Sequence, residues 1–309
     1  MTGSWTGAGL KPAIGGDPSL KKWNKRNNQM IDVGKNHTLE IIKHVDFGVY
    51  LQYDNEEILL PGKYLPEDED EWVVGEFITV FIYLDSEDRP IATTEIPFAK
   101  VGECAFLPVV SQSQFGSFVD WGLTKDLLVP FKEQRVPMEV GRSYVVYVFI
   151  DKTDRIAATS RLSKYLLEED EDDFDIRQQV GLLIASRSDL GYKAVIDGTH
   201  LGLIHINDVV RPIKVGDQFN GYIGEPRSDK RINITLQKLT YEMRDELSDK
   251  ILTHLTEHGG TIHLTDKSSS EEINAVFQVS KGNYKKALGK LFKEGKINFH
   301  EKSVRLIEK

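Results

Sequence analysis

Apolar residues change their spacing once along this chain. Up to about residue 239 they come in short alternating runs, each broken by Gly, Pro, Asp or Asn; beyond it they recur every three to four residues. Alternation of period two places a strand between two environments, whereas a 3.6-residue stripe marks one face of a helix. In the best-patterned stretch the runs predict five strands, near Glu103–Val110, Phe115–Asp120, Leu127–Pro130, Ser143–Ile150 and Arg155–Thr159. Turn residues such as Asp151-Lys152-Thr153-Asp154 separate them. In the fourth run Val145, Tyr147 and Phe149 alternate with Val146, Val148 and Ile150. Both faces are therefore apolar, which suits a strand in a closed barrel.

The pattern repeats. Phe47-Gly48, Phe115-Gly116 and Leu190-Gly191 open three copies. Each continues to an apolar turn (Leu59-Leu60-Pro61, Leu128-Val129-Pro130, Leu203-Ile204-His205) and to a Val-Gly pair (Val74-Gly75, Val140-Gly141, Val215-Gly216). Each closes on a charged turn before a threonine-bearing strand: Asp88-Arg89, Asp154-Arg155 and Lys230-Arg231, then Thr93, Thr159 and Thr235. A period of about 66 to 75 residues is too long for a solenoid, so each copy is predicted to fold as its own small domain. Five strands in that length predict an OB-type barrel, an architecture whose second and third strands commonly carry oligonucleotides.

After Leu239 the order is helix (Tyr241–His258), strand (Thr261–Leu264), helix (Glu272–Phe277), helix (Tyr284–Glu294) and a hairpin (Ile297–His300, Ser303–Ile307). Gly259-Gly260 and Gly295 supply the stops, and a serine with Glu271 and Glu272 the start of the second helix. That is the order of a winged-helix domain. The fold class read from the chain is mainly β with an α+β C-terminus: three OB-fold, five-stranded barrels followed by a winged helix. The boundaries expected are a disordered tail or leader at 1–29, barrels at 30–98, 99–166 and 176–238, an acidic linker at 167–175, and the winged helix at 239–309.

Composition narrows the partners. Hydrophobic residues make up 40% of the 309 residues and charged ones 28%, ordinary for a globular protein, and no apolar run approaches the length of a membrane span. The single cysteine, Cys104, excludes an intrachain disulfide and fits a reducing cytoplasm. A net charge of −9 is unlike a protein that grips duplex DNA along its backbone, so nucleic-acid binding has to rest on stacking and local basic patches. Seven acids in Glu168–Asp175 predict a solvated linker, and Glu67–Glu71 an acidic loop of the first barrel. By contrast, six lysines fall between Lys281 and Lys296 against the single acid Glu294.

The stretch Phe115-Gly116-Ser117-Phe118 offers two rings around a glycine, whose bulge or positive φ could bring both rings to one side. Together with Gly, Val-Gly and late-Arg landmarks, it resembles the S1 RNA-binding domain pattern of Phe-Gly-x-Phe-Val, Gly-Leu-x-His, Val-Gly and Arg-x-x-Leu-Ser. Three such copies and a winged helix resemble the conserved virulence factor B family of bacterial RNA-binding regulators. The resemblance implies single-stranded RNA held by two aromatics, a histidine on the next strand and a late arginine. Phe47 and Tyr50 match the aromatics in the first copy, with Arg89; Phe115 and Phe118 match in the second, with Arg155. Pro61 and Pro130 stand where the histidine belongs. The third copy keeps His205 and Arg231, with Arg187, Lys193, Arg211 and Lys214 nearby, while its aromatic element is reduced to Leu190 and Tyr192. A composite surface is expected, the first two copies stacking bases and the third, with Lys281, Lys285, Lys286 and Lys290 of the winged helix, supplying charge.

Other chemistry is weaker. His254 and His258 are four apart with His263 close behind, but without a cysteine they read as surface histidines and no metal is expected. Gly198–Gly202 lacks the Walker lysine and serine. No carboxylates form a catalytic motif, so the chain reads as a non-enzymatic, cofactor-free, cytoplasmic RNA-binding regulator, a scattered-aspartate ribonuclease being a remote alternative. Its main rivals are a DNA-binding regulator using the winged helix and an acidic scaffold contacting ribosomal protein. No membrane partner is expected.

Overall fold

The structure is a computed structural model describing residues 31–65, 72–170, 173–225, 229–237 and 241–307, the backbone alone for 241–244. The predicted tail and the loop Glu67–Glu71 lie outside the described residues.

The first unit comprises β1 (Asn36–Val45), β2 (Gly48–Tyr53), β3 (Glu56–Pro61), β4 (Phe77–Leu84) and β5 (Pro90–Thr93). They close into a barrel in the order β1-β2-β3-β5-β4. The third unit repeats that order with β11 (Gln179–Ser188), β12 (Gly191–Ile196), β13 (His200–His205), β14 (Gln218–Ile223) and β15 (Ile232–Thr235). The second contains β6 (Cys104–Gln112), β7 (Gly116–Val119), β8 (Leu127–Pro130), β9 (Ser143–Ile150) and β10 (Ile156–Thr159). Its cyclic order is the same, but it opens between β8 and β10, giving the sheet β10-β9-β6-β7-β8. The expected closed barrel is therefore nearly closed here: β8 and β10 run side by side without a ladder. Glu133, just past β8, still accepts at its carbonyl from Ser160 N at 3.0 Å and Thr159 Oγ1 at 3.0 Å.

The doubly apolar strand β9 has a cause that lies beyond its own barrel. Val146 and Val148 join the core of the second barrel. Val145, Tyr147 and Phe149 point away from it and are buried with Leu183, Val195 and Leu201 of the third. At about 25 cal/mol per Å² of apolar area removed from water, such a face strongly favours fixed packing of the two barrels. Trp121 does the same between the first two: it is buried edge-on against Phe81 at 5.7 Å, and its indole N–H donates to Lys125 O at 2.7 Å.

Described residues of the expected acidic linker pair with the third barrel. Leu167 bridges His200, Glu169 bridges Arg231, and Asp173 Oδ2 lies 3.1 Å from His200 Nε2. The C-terminal unit has the predicted order: α1 (Tyr241–Glu257), β16 (Thr261–Ile262), α2 (Ser270–Phe277), α3 (Lys281–Lys293), β17 (Ile297–His300) and β18 (Ser303–Leu306). Ser269 and Glu272 form a reciprocal capping box at α2, and Ser280 caps α3 by accepting from Asn283 N. Tyr284, Ala287, Leu288 and Leu291 supply the buried stripe of α3, leaving Lys285, Lys286 and Lys293 exposed.

Candidate nucleic-acid interface

In all three barrels the repeated glycine is the point where the second strand passes against the third. A Cβ on Gly48 would lie 2.2 Å from Leu60 O, on Gly116 2.2 Å from Val129 O, and on Gly191 2.0 Å from Ile204 O. Gly48 and Gly191 also have φ of +150° and +141°. The bulge expected at Gly116 sits instead on the facing strand, where the register slips between Ile41 and Lys43, Val109 and Ser111, and Ile184 and Ser186.

That register aligns the three sites residue by residue. Beyond the bulge, Lys43 faces Tyr50, Ser111 faces Phe118, and Ser186 faces Lys193. Tyr50, Phe118 and Lys193 are half-buried and share the outward position, while Val49, Ser117 and Tyr192 point into the cores. The third barrel's Tyr192 is 7% exposed and belongs to its hydrophobic core. This corrects the expectation that Tyr192 presents a stacking ring: alternation puts it inside, and Lys193 holds the place of the second aromatic. Ser117, fully buried at the same inward position, is satisfied by the Gln134 amide at 3.1 Å and that of Gln112 at 3.3 Å.

Phe47 and Phe115 stand on the preceding turns, 59% and 64% exposed. The carbonyl of Phe115 accepts from Phe131 N at 3.2 Å, as that of Phe47 does from Gly62 N at 2.8 Å and that of Leu190 from Ile206 N at 3.0 Å. Phe131 is 54% exposed, so the second barrel carries a third accessible ring that the sequence reading passed over. Its signal was its place directly after Pro130, the position of the expected histidine.

Several expected cations already have partners. Arg155 Nη2 reaches Asp88 Oδ2 of the first barrel at 2.6 Å. Lys193 Nζ meets Glu168 Oε1 at 2.5 Å. Lys43 Nζ lies over Tyr50, 4.4 Å from the ring centre, while also paired with Glu57. Arg187 stands 5.7 Å over Tyr192. Lys290 is ion-paired with Asp245 and Glu294, and the Lys281 ammonium points to Lys267 O at 3.5 Å. Arg231 is exposed beside its bridge to Glu169. Lys285 and Lys286 make no salt bridge among the described residues. Burial pushes the Cys104 thiol up to about 12.

A cleft of about 130 Å³ opens between the third barrel and the winged helix. His205 at the end of β13, Tyr222 on β14 and Asn233 on β15 line it from one side, Asn283 and Lys286 of α3 from the other, with Arg177 at its margin. The walls are held by the turn after His205. Ser280 Oγ donates to Asp208 Oδ1 at 3.3 Å, Asn274 Nδ2 to Val210 O at 3.1 Å, and Asn283 Nδ2 to Gln237 Oε1 at 3.0 Å. Burial raises the Asp208 carboxyl above its ordinary value, offset in part by Ser280, His205 and Lys286. The corresponding turns of the other barrels also reach the next unit, through Tyr64 to Thr124 (3.1 Å) and Arg135 to Ser186 (2.8 Å).

The S1 domain family matches residues 33–95 and 101–161, and the CvfB-like winged helix domain matches 249–306. The chain is homologous to the bacterial CvfB family. It is 25% identical over 294 residues to conserved virulence factor B of Staphylococcus aureus, covering 90% of this chain and 95% of that one. It is 29% identical over 287 residues to the uncharacterized protein YitL of Bacillus subtilis, covering 89% and 94%. A solved multidomain protein with nucleic acid binding domains from Streptococcus pneumoniae is 25% identical over 89% of this chain and 98% of that one, with a TM-score of 0.38. S1 domains joined to a winged helix are a combination typical of non-catalytic, nucleic-acid-binding and regulatory proteins. The third barrel lies outside the S1 match and is recognised by its strand order. Among the described residues no helix is long and apolar enough to cross a membrane.

Proposed function

We propose that this CvfB homologue binds single-stranded RNA and acts as a cytoplasmic post-transcriptional regulator, without catalysis. The observation that carries the reading is the cleft in which His205 of an S1-type barrel and Lys286 of α3 line the same wall space. His205 is positioned to hydrogen-bond a base or a 2′-hydroxyl, the group that distinguishes RNA, and Lys286 to meet phosphate. Phe47, Tyr50, Phe115, Phe118 and Phe131 add stacking surfaces that tolerate sequence.

The winged helix used alone on duplex DNA is less well supported. A groove-reading helix presents its N-terminal residues to base edges. Here the N-terminus of α3 is taken up by the third barrel: Ser280 bonds Asp208, and a Cβ on Gly282 would lie 2.4 Å from Asp208 Oδ1. The names of the staphylococcal relatives point to a role in virulence, and we extend that regulatory role here as part of the proposal. The test is fluorescence anisotropy with a labelled single-stranded RNA and a duplex DNA of equal length. Tighter binding of the single strand is expected; equal or tighter binding of the duplex overturns the reading in favour of a DNA-binding regulator.

A further inference from the structure

The last turn of α1 holds a group of side chains that the nucleic-acid reading does not use. His254, Glu257 and His258 fall at i, i+3 and i+4, which places all three on one face. One ligand atom from each lies within 4.8 Å of the others. Zn²⁺ holds nitrogen and oxygen ligands at about 2.0–2.2 Å, so atoms this close can gather round one ion with small side-chain rotations.

Three features separate this cluster from an ordinary group of surface histidines. The Nδ1–H of His258 donates to the carbonyl of His254 at 2.8 Å. That bond fixes the tautomer in which Nε2 keeps its lone pair, the arrangement by which metal-binding histidines are oriented through a backbone carbonyl. The two rings lie 4.0 Å apart between centroids, and the edge contact of His254 with Phe277 of α2 at 5.3 Å holds the less exposed ring in place. Finally, the cluster sits at the C-terminal end of a 17-residue helix, where the helix dipole favours a cation. His263, also considered from the sequence, is turned elsewhere, its Nδ1 3.3 Å from Lys302 O.

We infer that His254, Glu257 and His258 form a binding site for a divalent transition-metal ion of the Zn²⁺ class. Two imidazoles and a carboxylate leave one tetrahedral position to water. Oxygen-seeking Mg²⁺ and Ca²⁺ are poorly served by two nitrogen ligands. Because Gly259 and Gly260 directly follow, a bound ion fastens the turn by which α1 passes into β16 of the winged helix, and its role is to steady that domain.

The experiment is calorimetric titration of the untagged, full-length chain with ZnCl₂, with MgCl₂ as the comparison, on the unaltered protein and on His258→Ala and Glu257→Gln. Both substituted positions are exposed, and circular dichroism verifies that the variants are folded. The expected result is a saturable site absent with Mg²⁺, weakened at least about tenfold by His258→Ala and less by Glu257→Gln, together with a Zn²⁺-dependent rise in Tm that His258→Ala removes. Absence of saturable Zn²⁺ binding, or binding unchanged in both variants, overturns the site. Neither result depends on RNA binding.

Discussion

Arg155 Nη2 lies 2.6 Å from Asp88 Oδ2, tying the last turn of the second barrel to the same turn of the first. The two turns are built alike: Asp88 and Asp154, with φ of +59° and +63°, each precede an arginine, as Lys230 at +57° precedes Arg231. The guanidinium that family likeness assigns to RNA is thus shared with a carboxylate between barrels. Arg155→Ala is expected to lower stability by less than about 1 kcal/mol, because the pair is solvent-exposed. Single-stranded RNA affinity should stay within about twofold, or about 0.4 kcal/mol. Denaturant titration and anisotropy check the two halves.

The register across the bulges predicts opposite outcomes for two rings in different barrels. Phe118→Ala should weaken single-stranded RNA binding by an amount equivalent to about 1–3 kcal/mol, a stacked base, with little loss of stability. Tyr192→Ala should instead destabilise the third barrel by about 3 kcal/mol, since it empties a core position. Measuring both Tm and affinity for each variant separates them. If Phe118→Ala costs stability but not affinity, its ring serves packing rather than stacking.

Lysines of α3 should divide by their partners. Lys285→Glu with Lys286→Glu is expected to flatten the salt dependence of RNA binding, by about 0.7 in slope for each phosphate no longer neutralised. Lys290→Ala should leave the slope unchanged, because its ammonium is already held by Asp245 and Glu294. Affinities measured across a range of KCl concentrations give the slopes.

Docking of the third barrel on the winged helix should depend on pH through Asp208. Burial raises this carboxyl in the folded state. Its contribution is therefore fully present below the ordinary carboxylate range and falls as pH rises through the raised value. Asp208→Asn, which removes the buried charge but keeps the shape, is expected to raise Tm at neutral pH and to lose that advantage in acid. Scanning calorimetry of both proteins from about pH 3 to about pH 8 tests this; a difference that does not change with pH counts against it.

A strong counterweight to these surface effects lies within the second barrel. Burial pushes the Glu133 carboxyl up, yet the Lys164 ammonium, 2.8 Å from Oε2, outweighs it and holds the group below its ordinary range. The stability this pair gives is present above the unfolded carboxylate pKa and is lost as pH falls through the depressed one. Lys164→Ala should cost roughly 1.5–3 kcal/mol at neutral pH, the range for a hydrogen bond to a charged group, measured by urea denaturation.

Much of the fold was legible because it is written locally. Strand alternation, Gly and Asp turns, a serine ahead of Glu271 and Glu272 and the Gly259-Gly260 stop each act within a few residues, and they yielded every element of the winged helix to within a few positions. The candidate site was legible as residue types but not as environments. Tyr192 looked like Tyr50 and Phe118 because composition near a glycine was matched; it stands one residue after its glycine where they stand two, and alternation along the strand reverses its face. Phe131 was missed because its exposure depends on a turn beyond β8.

By itself the sequence determined three copies of one barrel, a winged helix after them, and a chain whose acidity leaves binding to local rings and lysines. These follow from periodicities and short-range backbone preferences that need no knowledge of the neighbouring domain. Tertiary structure alone decided which cations are already engaged, as with Arg155 on Asp88 and Lys193 on Glu168. It also decided why β9 is apolar on both faces, and that His205 and Lys286 border one cleft. Those relationships join segments far apart in the chain, where burial and charge pairing depend on how whole units pack.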